Sequence, residues 1–312
     1  MKDAAERLLG MIEHSVSPYH AAQAISENLS KSGFTSLPQN APWNLRCGGA
    51  YFTTCFDSTV VAFTIGTSFS SGDDLRIAAA HTDWPCLRLK PFPEKTAGGC
   101  CKLNIEPYGG MIFSSWMDRP LSVAGTVSVV DTDPFYPSMK LFDFKEPILT
   151  IPNLAIHMNR EVNRGVEISA HRDMQPILQT VEDTFQQKGY LLDLIADRLG
   201  LPSTDILSYD LCIYNAESGC FIGPDESMLS SPRFDNITSV SACLNGIING
   251  EREGGLNVAV FYDHEEIGSK TKQGADSTTL TMLLEKIALS LGLTREEFLN
   301  LRMSGTLLSC DV

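Results

Sequence analysis

The chain has 312 residues, 43% of them hydrophobic, and a formal net charge of −14. A chain of this length buries about three quarters of its unfolded surface and can form one large domain or two. Acidic residues outnumber basic ones and no basic run occurs, so we expect no binding to nucleic acid. No apolar stretch approaches the roughly 18 residues of a membrane span, so we expect a soluble, cytoplasmic protein that does not bind membranes.

The front of the chain has the pattern of a helix followed by strands. A Ser-Pro pair and apolar residues at helical spacing predict a helix over 17–33. Two β-patterned runs, 49–56 and 59–66, are separated by two residues and predict a hairpin. The apolar run 76–80 predicts a central strand that ends at His81.

The middle of the chain has a different texture. Between residues 89 and 210, prolines and glycines separate β-rich runs such as 121–130. Helical spacing returns over 180–199 around a central Gly189, which predicts two short helices or one interrupted helix. We therefore interpret 89–210 as an inserted, largely β domain.

The last hundred residues alternate between helical and strand patterns. The predicted elements are a helix over 235–248, a strand over 256–262, a helix over 276–291 and a final strand over 306–312. Strands that alternate with helices indicate a mostly parallel sheet covered on both faces. We therefore assign 1–88 and 211–312 to one discontinuous α/β domain that carries the insert.

Side chains that can bind a cation follow the predicted strand ends. His81, Asp235, Asp311 and the acidic run 263–266 all fall at the edge where the carboxyl ends of strands meet, which is where α/β sheets bind ligands. Asp83 lies two residues after His81 and can orient its ring. Taken alone, a histidine after a strand is more often a hydrogen-bonded core residue, and an acidic run is more often a solvated turn.

Two of these carboxylate positions allow more than one interpretation. Asp235 can cap the helix that follows it or can bridge two cations, and the sequence does not separate these roles. Glu265 and Glu266 are adjacent and point in different directions, so one can bind a metal while the other acts as a general base.

Together, these segments resemble the aspartyl aminopeptidase family of metallopeptidases. The matching segments, in family order, are His81–Pro91, Tyr108–Gly110, Trp116–Gly125, Pro152–His157, Ser231–Asn236 and Asp263–Ser269. Any one of them would be a weak signal, whereas the ordered set spans nearly the whole chain and is specific. The resemblance implies a zinc-exopeptidase-like mixed α/β sheet covered by helices, with a β-rich insert that serves for dimerisation.

The resemblance also implies the chemistry. The family binds two zinc ions per subunit, for which Mn²⁺ or Co²⁺ can substitute. The residues at the matching positions are His81, Asp235, Glu266 and Asp311 as metal ligands, Glu265 as general base, Asp83 as the catalytic residue that orients His81, and His157 as a substrate-binding residue. The expected activity is release of N-terminal residues, acidic ones among them, from peptides by a homo-oligomer built from dimers, as in the family's dodecamers.

Two alternatives accompany this interpretation. Family members continue well beyond the position of Asp311 and supply a last histidine ligand, whereas this chain ends at Val312. A truncated, catalytically impaired scaffold is therefore one alternative. The other is a tetrahedral, glutamyl-aminopeptidase-like enzyme, whose resemblance stops short of the 116–125 segment.

Overall fold

The computed structural model describes residues 2–182, 185, 188–251 and 253–312. The α-helices are α1 (Lys2–His14), α2 (Pro18–Lys31), α3 (Ala170–Asp173), α4 (Tyr190–Leu199), α5 (Phe234–Asn249), α6 (Thr279–Ser290) and α7 (Arg295–Ser304). The strands are β1 (Thr35–Ser36), β2 (Ala50–Cys55), β3 (Thr59–Ile65), β4 (Leu75–His81), β5 (Cys86–Ala97), β6 (Cys100–Tyr108), β7 (Leu121–Val129), β8 (Ser138–Asp143), β9 (Ile177–Thr180), β10 (Ile206–Asn215), β11 (Cys220–Ile222), β12 (Met228–Ser230), β13 (Leu256–Tyr262) and β14 (Thr306–Ser309).

The chain divides into two compact units. The first unit comprises Met1–Trp84 and Gly219–Val312, and the second comprises Pro85–Ser218. The boundaries expected from the sequence, 88/89 and 210/211, lie four and eight residues away from these. They differ because β5 and β10 each belong whole to the sheet of the second unit, where they pair with each other.

A six-stranded mixed sheet forms the centre of the first unit, in the order β1-β2-β3-β13-β4-β14. Strand β4 runs parallel to both of its neighbours, β13 and β14. The predicted hairpin is confirmed, because β2 and β3 pair in antiparallel register. The mixed α/β fold class predicted from the sequence is also confirmed.

Helices cover both faces of this sheet. Alternate residues of β13, Leu256, Val258 and Val260, pack in one core with side chains of α6 and α7. Strand residues alternate between faces, so the buried Phe261 points to the other side. There α5 packs on β4 and β13, and α1 and α2 pack beside it. The central strands are therefore apolar on both faces, as the continuous run 256–262 predicted.

The second unit has its own antiparallel sheet and its own core. The strand order is β8-β7-β10-β5-β6-β9. Leu191 and Ile195 of α4 pack into the apolar core of this sheet. Within the predicted helical stretch 180–199, Thr180 ends β9 and α4 begins after Gly189, so the prediction is confirmed for the second half. Residues 183, 184, 186 and 187 of that stretch lie outside the described residues.

Most predicted elements of the first unit lie within a few residues of the observed ones. The side chain of Ser17 accepts a hydrogen bond from the backbone of His20 and caps α2, as its position before Pro18 predicted. Helix α6 begins at Thr279, three residues later than expected, and β14 ends at Ser309. In the described part of the chain, no helix is both long and apolar enough to cross a bilayer.

A substitution at Phe261 tests this core, because the Phe261 side chain is fully buried. We expect Phe261→Ala to lower the free energy of unfolding by about 3–5 kcal/mol through lost burial and a residual cavity. Urea unfolding followed by circular dichroism measures this loss. Phe135, which is 86% exposed, provides the matched control, and Phe135→Ala should change the stability by less than about 0.5 kcal/mol. Equal effects of the two changes would contradict this account of the core.

Candidate metal centre

His81, Asp311 and the acidic run 263–266 lie where three neighbouring parallel strands, β13, β4 and β14, end at one edge of the first unit's sheet. His81 is the last residue of β4 and pairs in register with Tyr262, the last residue of β13. The acidic run 263–266 follows β13 directly. Strand β14 pairs with β4 up to Ser309, and Asp311 follows two residues later. The parallel register therefore places these side chains at one sheet edge.

His81 and two aspartates form a compact cluster at this edge. The His81 Nε2 atom lies 3.4 Å from Asp311 Oδ1 and 3.6 Å from Asp235 Oδ1. One ligand atom from each of the three residues falls within 4.8 Å of the other two. The His81 side chain is only 5% exposed, whereas both aspartate side chains are more than half exposed. Imidazole nitrogen and carboxylate oxygen are zinc ligands, so the donor set fits a divalent ion that is reached from solvent.

Asp83 connects the ends of two strands. Its carboxylate is fully buried, with Oδ1 3.3 Å from the His81 Nδ1 atom. The same carboxylate accepts hydrogen bonds from the backbone N–H groups of Glu265, at 3.2 Å, and Glu266, at 3.1 Å. Asp83 therefore holds the His81 ring with Nε2 toward the cluster and also fixes the turn that carries both glutamates.

Asp235 reaches the cluster from the start of α5. Its backbone is not helical (φ −79°, ψ 109°), and neither is that of Asn236, so the regular turns of α5 begin after them. The Asp235 carboxylate lies beside His81, with Oδ1 3.6 Å from Nε2. Asn236 is completely buried, and its side-chain Nδ2 donates to the Cys310 carbonyl at 2.9 Å. Sequence reasoning gave Asn236 no role, although it directly follows Asp235 in the motif.

The two glutamates occupy a short 3₁₀ turn after β13. This turn, Glu265–Ile267, lies between His264 and Gly268, both of which have positive φ angles (64° and 93°). Gly268 suits this conformation because it lacks a Cβ atom. The Glu265 Oε2 atom lies 3.8 Å from His81 Nε2, and the side chain is 46% exposed. Glu266 is less exposed and is not a member of the compact three-residue cluster.

The crowding of carboxylates perturbs the proton affinities of the site. Burial raises the pKa of Glu266 to about 7, and the charges of Asp83 and Asp235 add to this effect. Burial likewise raises the pKa of Asp235, which the neighbouring Asp311 raises further. Burial lowers the pKa of His81, but its hydrogen bond to Asp83 and the charges of Asp83 and Glu265 outweigh burial and raise that pKa to about 9. Negative charge is concentrated here, as a cation site requires.

The remaining residues considered from the sequence lie elsewhere. His157 belongs to the second unit, where it is exposed on a turn. Three basic side chains of the matching segments have partners within their own units: Lys90 pairs with Glu106, Arg119 with Glu217, and Arg233 donates to the Ile12 carbonyl.

A mixed α/β sheet with a buried histidine and several carboxylates at the ends of parallel strands defines a candidate metalloenzyme. Residues 11–312 match the family model described as aminopeptidase I zinc metalloprotease (M18). A curated relative, the probable M18 family aminopeptidase 2 of Clostridium acetobutylicum, is 41% identical over 308 residues, which cover 98% of this chain and 71% of the relative. The chain belongs to the M18 aminopeptidase family.

Solved structures agree with this assignment. The cryo-EM structure of the Ape4 and Nbr1 complex contains a chain that matches with a TM-score of 0.92 and 30% identity over 99% of this chain. The 312 residues of the present protein cover 63% of the matched chain in that complex. The S. cerevisiae mApe1 dodecamer matches in fold, with a TM-score of 0.80 and 23% identity over 99% of this chain and 72% of that one. The predictions of family and of enzyme class are confirmed.

The raised pKa of His81 predicts how the stability of the metal-free protein depends on pH. Because the folded pKa of about 9 lies above the ordinary 6.5, protonated His81 stabilises the folded state. This contribution is fully present below pH 6.5 and is lost as the pH rises through 9. We therefore expect the free energy of unfolding, measured with urea in the presence of a chelator, to fall across this interval.

Two variants separate this effect from other titrations. His81→Asn should remove the part of the fall that comes from the imidazole. His14→Asn, a change at an exposed position at the end of α1, should leave the fall intact. An equal pH dependence in the wild type and in His81→Asn would show that His81 is not protonated in the fold as described.

Proposed function

We propose that this chain is a metal-dependent aminopeptidase that removes N-terminal residues from peptides. The convergence of His81, Asp235 and Asp311 around one point, in a member of the M18 family, is the observation that supports this proposal most directly. The sequence alone led to the same reaction class.

The metal would be zinc, and two ions per chain would be bound. His81 and Asp311 would hold one ion, Asp235 would bridge, and Glu266 would contribute to the second. The raised pKa values of Asp235 and Glu266 support this arrangement, since neighbouring carboxylates tolerate full ionisation best when a cation lies among them. When bound, such ions polarise the scissile carbonyl and acidify water; Mn²⁺ or Co²⁺ could substitute.

Glu265 would act as the general base. Its carboxylate is half exposed at the cluster, close enough to receive a proton from an attacking water and to pass it to the departing amine. Asp83 would keep the His81 ring and the backbone of Glu265 in place through the contacts described above. The two neighbouring glutamates therefore have separate roles, one in proton transfer and one in metal binding.

Substrate and assembly follow from the family resemblance. A free peptide N-terminus is positively charged and would bind beside the carboxylates, which limits cleavage to one residue at a time. The enzyme would prefer Asp or Glu at that position, and His157 would help to bind the substrate. It would be cytoplasmic and would form a homo-oligomer built from dimers through the second unit. Release rates from Asp, Glu, Ala and Leu p-nitroanilides, and the mass measured by light scattering, test preference and assembly.

Glu265→Gln tests the assignment of the general base. The amide cannot accept the proton from water, so we expect kcat to fall by about 10²- to 10⁴-fold while the bound metal stays at the wild-type level. Peptide release followed by mass spectrometry, together with metal analysis, measures both quantities. Glu296→Gln, on the exposed surface of α7, is the control and should keep full activity.

The alternative is an assembly subunit that does not hydrolyse peptides. In that case the wild type would release no residue with Zn²⁺, Mn²⁺ or Co²⁺ and would still form the oligomer. If Glu265→Gln retained wild-type kcat, the proposed hydrolytic activity would remain valid, but a residue other than Glu265 would be the general base.

Metal binding should also release protons. At pH 7 the metal-free protein holds a protonated His81 and a Glu266 that is about half protonated, and both must lose their protons to bind a cation. Titration calorimetry with Zn²⁺ in buffers of different ionisation enthalpy should report about one to two protons released. Affinity should rise with pH up to about 9. Binding without proton release would rule out His81 and Glu266 as ligands.

A further inference from the structure

The three clustered groups do not all come from the sheet. His81 and Asp311 follow the neighbouring strands β4 and β14, whose spacing is set by backbone hydrogen bonds. Asp235 lies in the non-helical first residues of α5, which packs on the sheet from outside it. A metal centre that uses all three therefore needs a contact that sets the distance from the start of α5 to the end of β14.

Asn236 makes a contact between these two segments. Its side-chain Nδ2 donates to the Cys310 carbonyl at 2.9 Å, and the side chain is completely buried. On the other side, the Cys310 N–H donates to the Ala79 carbonyl of β4 at 2.8 Å. The backbone of Cys310 is therefore held between β4 and α5. The residue after Asp235 is bonded to the residue before Asp311.

We propose that Asn236 is a positioning residue that holds the Asp235 and Asp311 carboxylates at the separation a divalent cation requires. The inference rests on the proposed metal-binding function of the site. Two carboxylates repel each other when no cation is bound, and the loop carrying Asp235 and the end of β14 are the parts that would move apart. The buried hydrogen bond from the Asn236 side chain to the Cys310 backbone carbonyl opposes this movement, so the site is assembled before the cation arrives.

Two substitutions at Asn236 test this role. Asn236→Ala removes the donor, and Asn236→Leu removes it while nearly preserving the side-chain volume, so that a cavity is not the cause of any effect. Asn245→Ala is the matched control, since Asn245 also lies on α5 and its Nδ2 donates to a backbone carbonyl, that of Ser241, at 2.7 Å within the same helix.

Zn²⁺ affinity of the metal-free proteins is measured by competition with a chromophoric chelator, and the visible absorption of bound Co²⁺ reports the ligand geometry. We expect both Asn236 variants to bind Zn²⁺ about 10- to 100-fold more weakly than the wild type and to show an altered Co²⁺ spectrum. Asn245→Ala should match the wild type in both. Thermal unfolding of each metal-free protein is recorded alongside.

Each outcome decides a different question. If the wild type and the control bind no cation, the proposed function fails. If the wild type binds and the folded Asn236 variants bind equally well with an unchanged spectrum, the metal centre stands and the positioning role is overturned. Variants that melt earlier but keep full affinity, or that do not fold at all, also overturn it, because Asn236 would then stabilise the fold rather than the centre.

Discussion

The parallel pairing of β4 with β13 on one side and β14 on the other is the constraint on which the site depends. Parallel strands end at the same edge, so residues that follow them meet there although more than two hundred positions separate His81 from Asp311. The strands themselves are buried and apolar on both faces, which leaves the edge as the place where charged side chains can be reached by solvent.

Electrostatics gives this edge its chemical character. The His81 imidazole lies among Asp83, Asp235, Glu265 and Asp311, and its pKa rises to about 9 in spite of burial. Repulsion among the carboxylates destabilises the folded protein when no cation is bound, and bound cations would remove this repulsion. Hydrogen bonds from backbone N–H groups to the buried Asp83 and from Asn236 to Cys310 hold the mutually repelling groups together. The scaffold and the charge pattern therefore both favour the binding of cations at this edge.

Several structural details could not be predicted from sequence patterns, and the physical reasons can be named. The stretch 180–199 has helical spacing throughout, yet Thr180 pairs in β9, because a strand partner in the sheet overrides a weak local preference. The position of the Asp235 carboxylate beside His81 depends on the non-helical backbone at the start of α5, which the sequence did not predict. No sequence pattern indicated a role for Asn236, because Cys310, to whose carbonyl its side chain donates, is 74 positions away. Such contacts depend on how elements pack and leave no local signature.

The amino-acid sequence by itself determined the main strands and helices of the first unit, the presence of a β-rich insert and the family of the protein, since hydrophobic periodicity and short motifs are local properties of the chain. It also identified the histidine and the acidic residues of the candidate centre. Only the tertiary structure decided which strands are neighbours, that His81, Asp235 and Asp311 lie within reach of one ion, and that Asn236 joins two of their segments. These facts are distances between parts of the chain remote in sequence, and packing sets those distances.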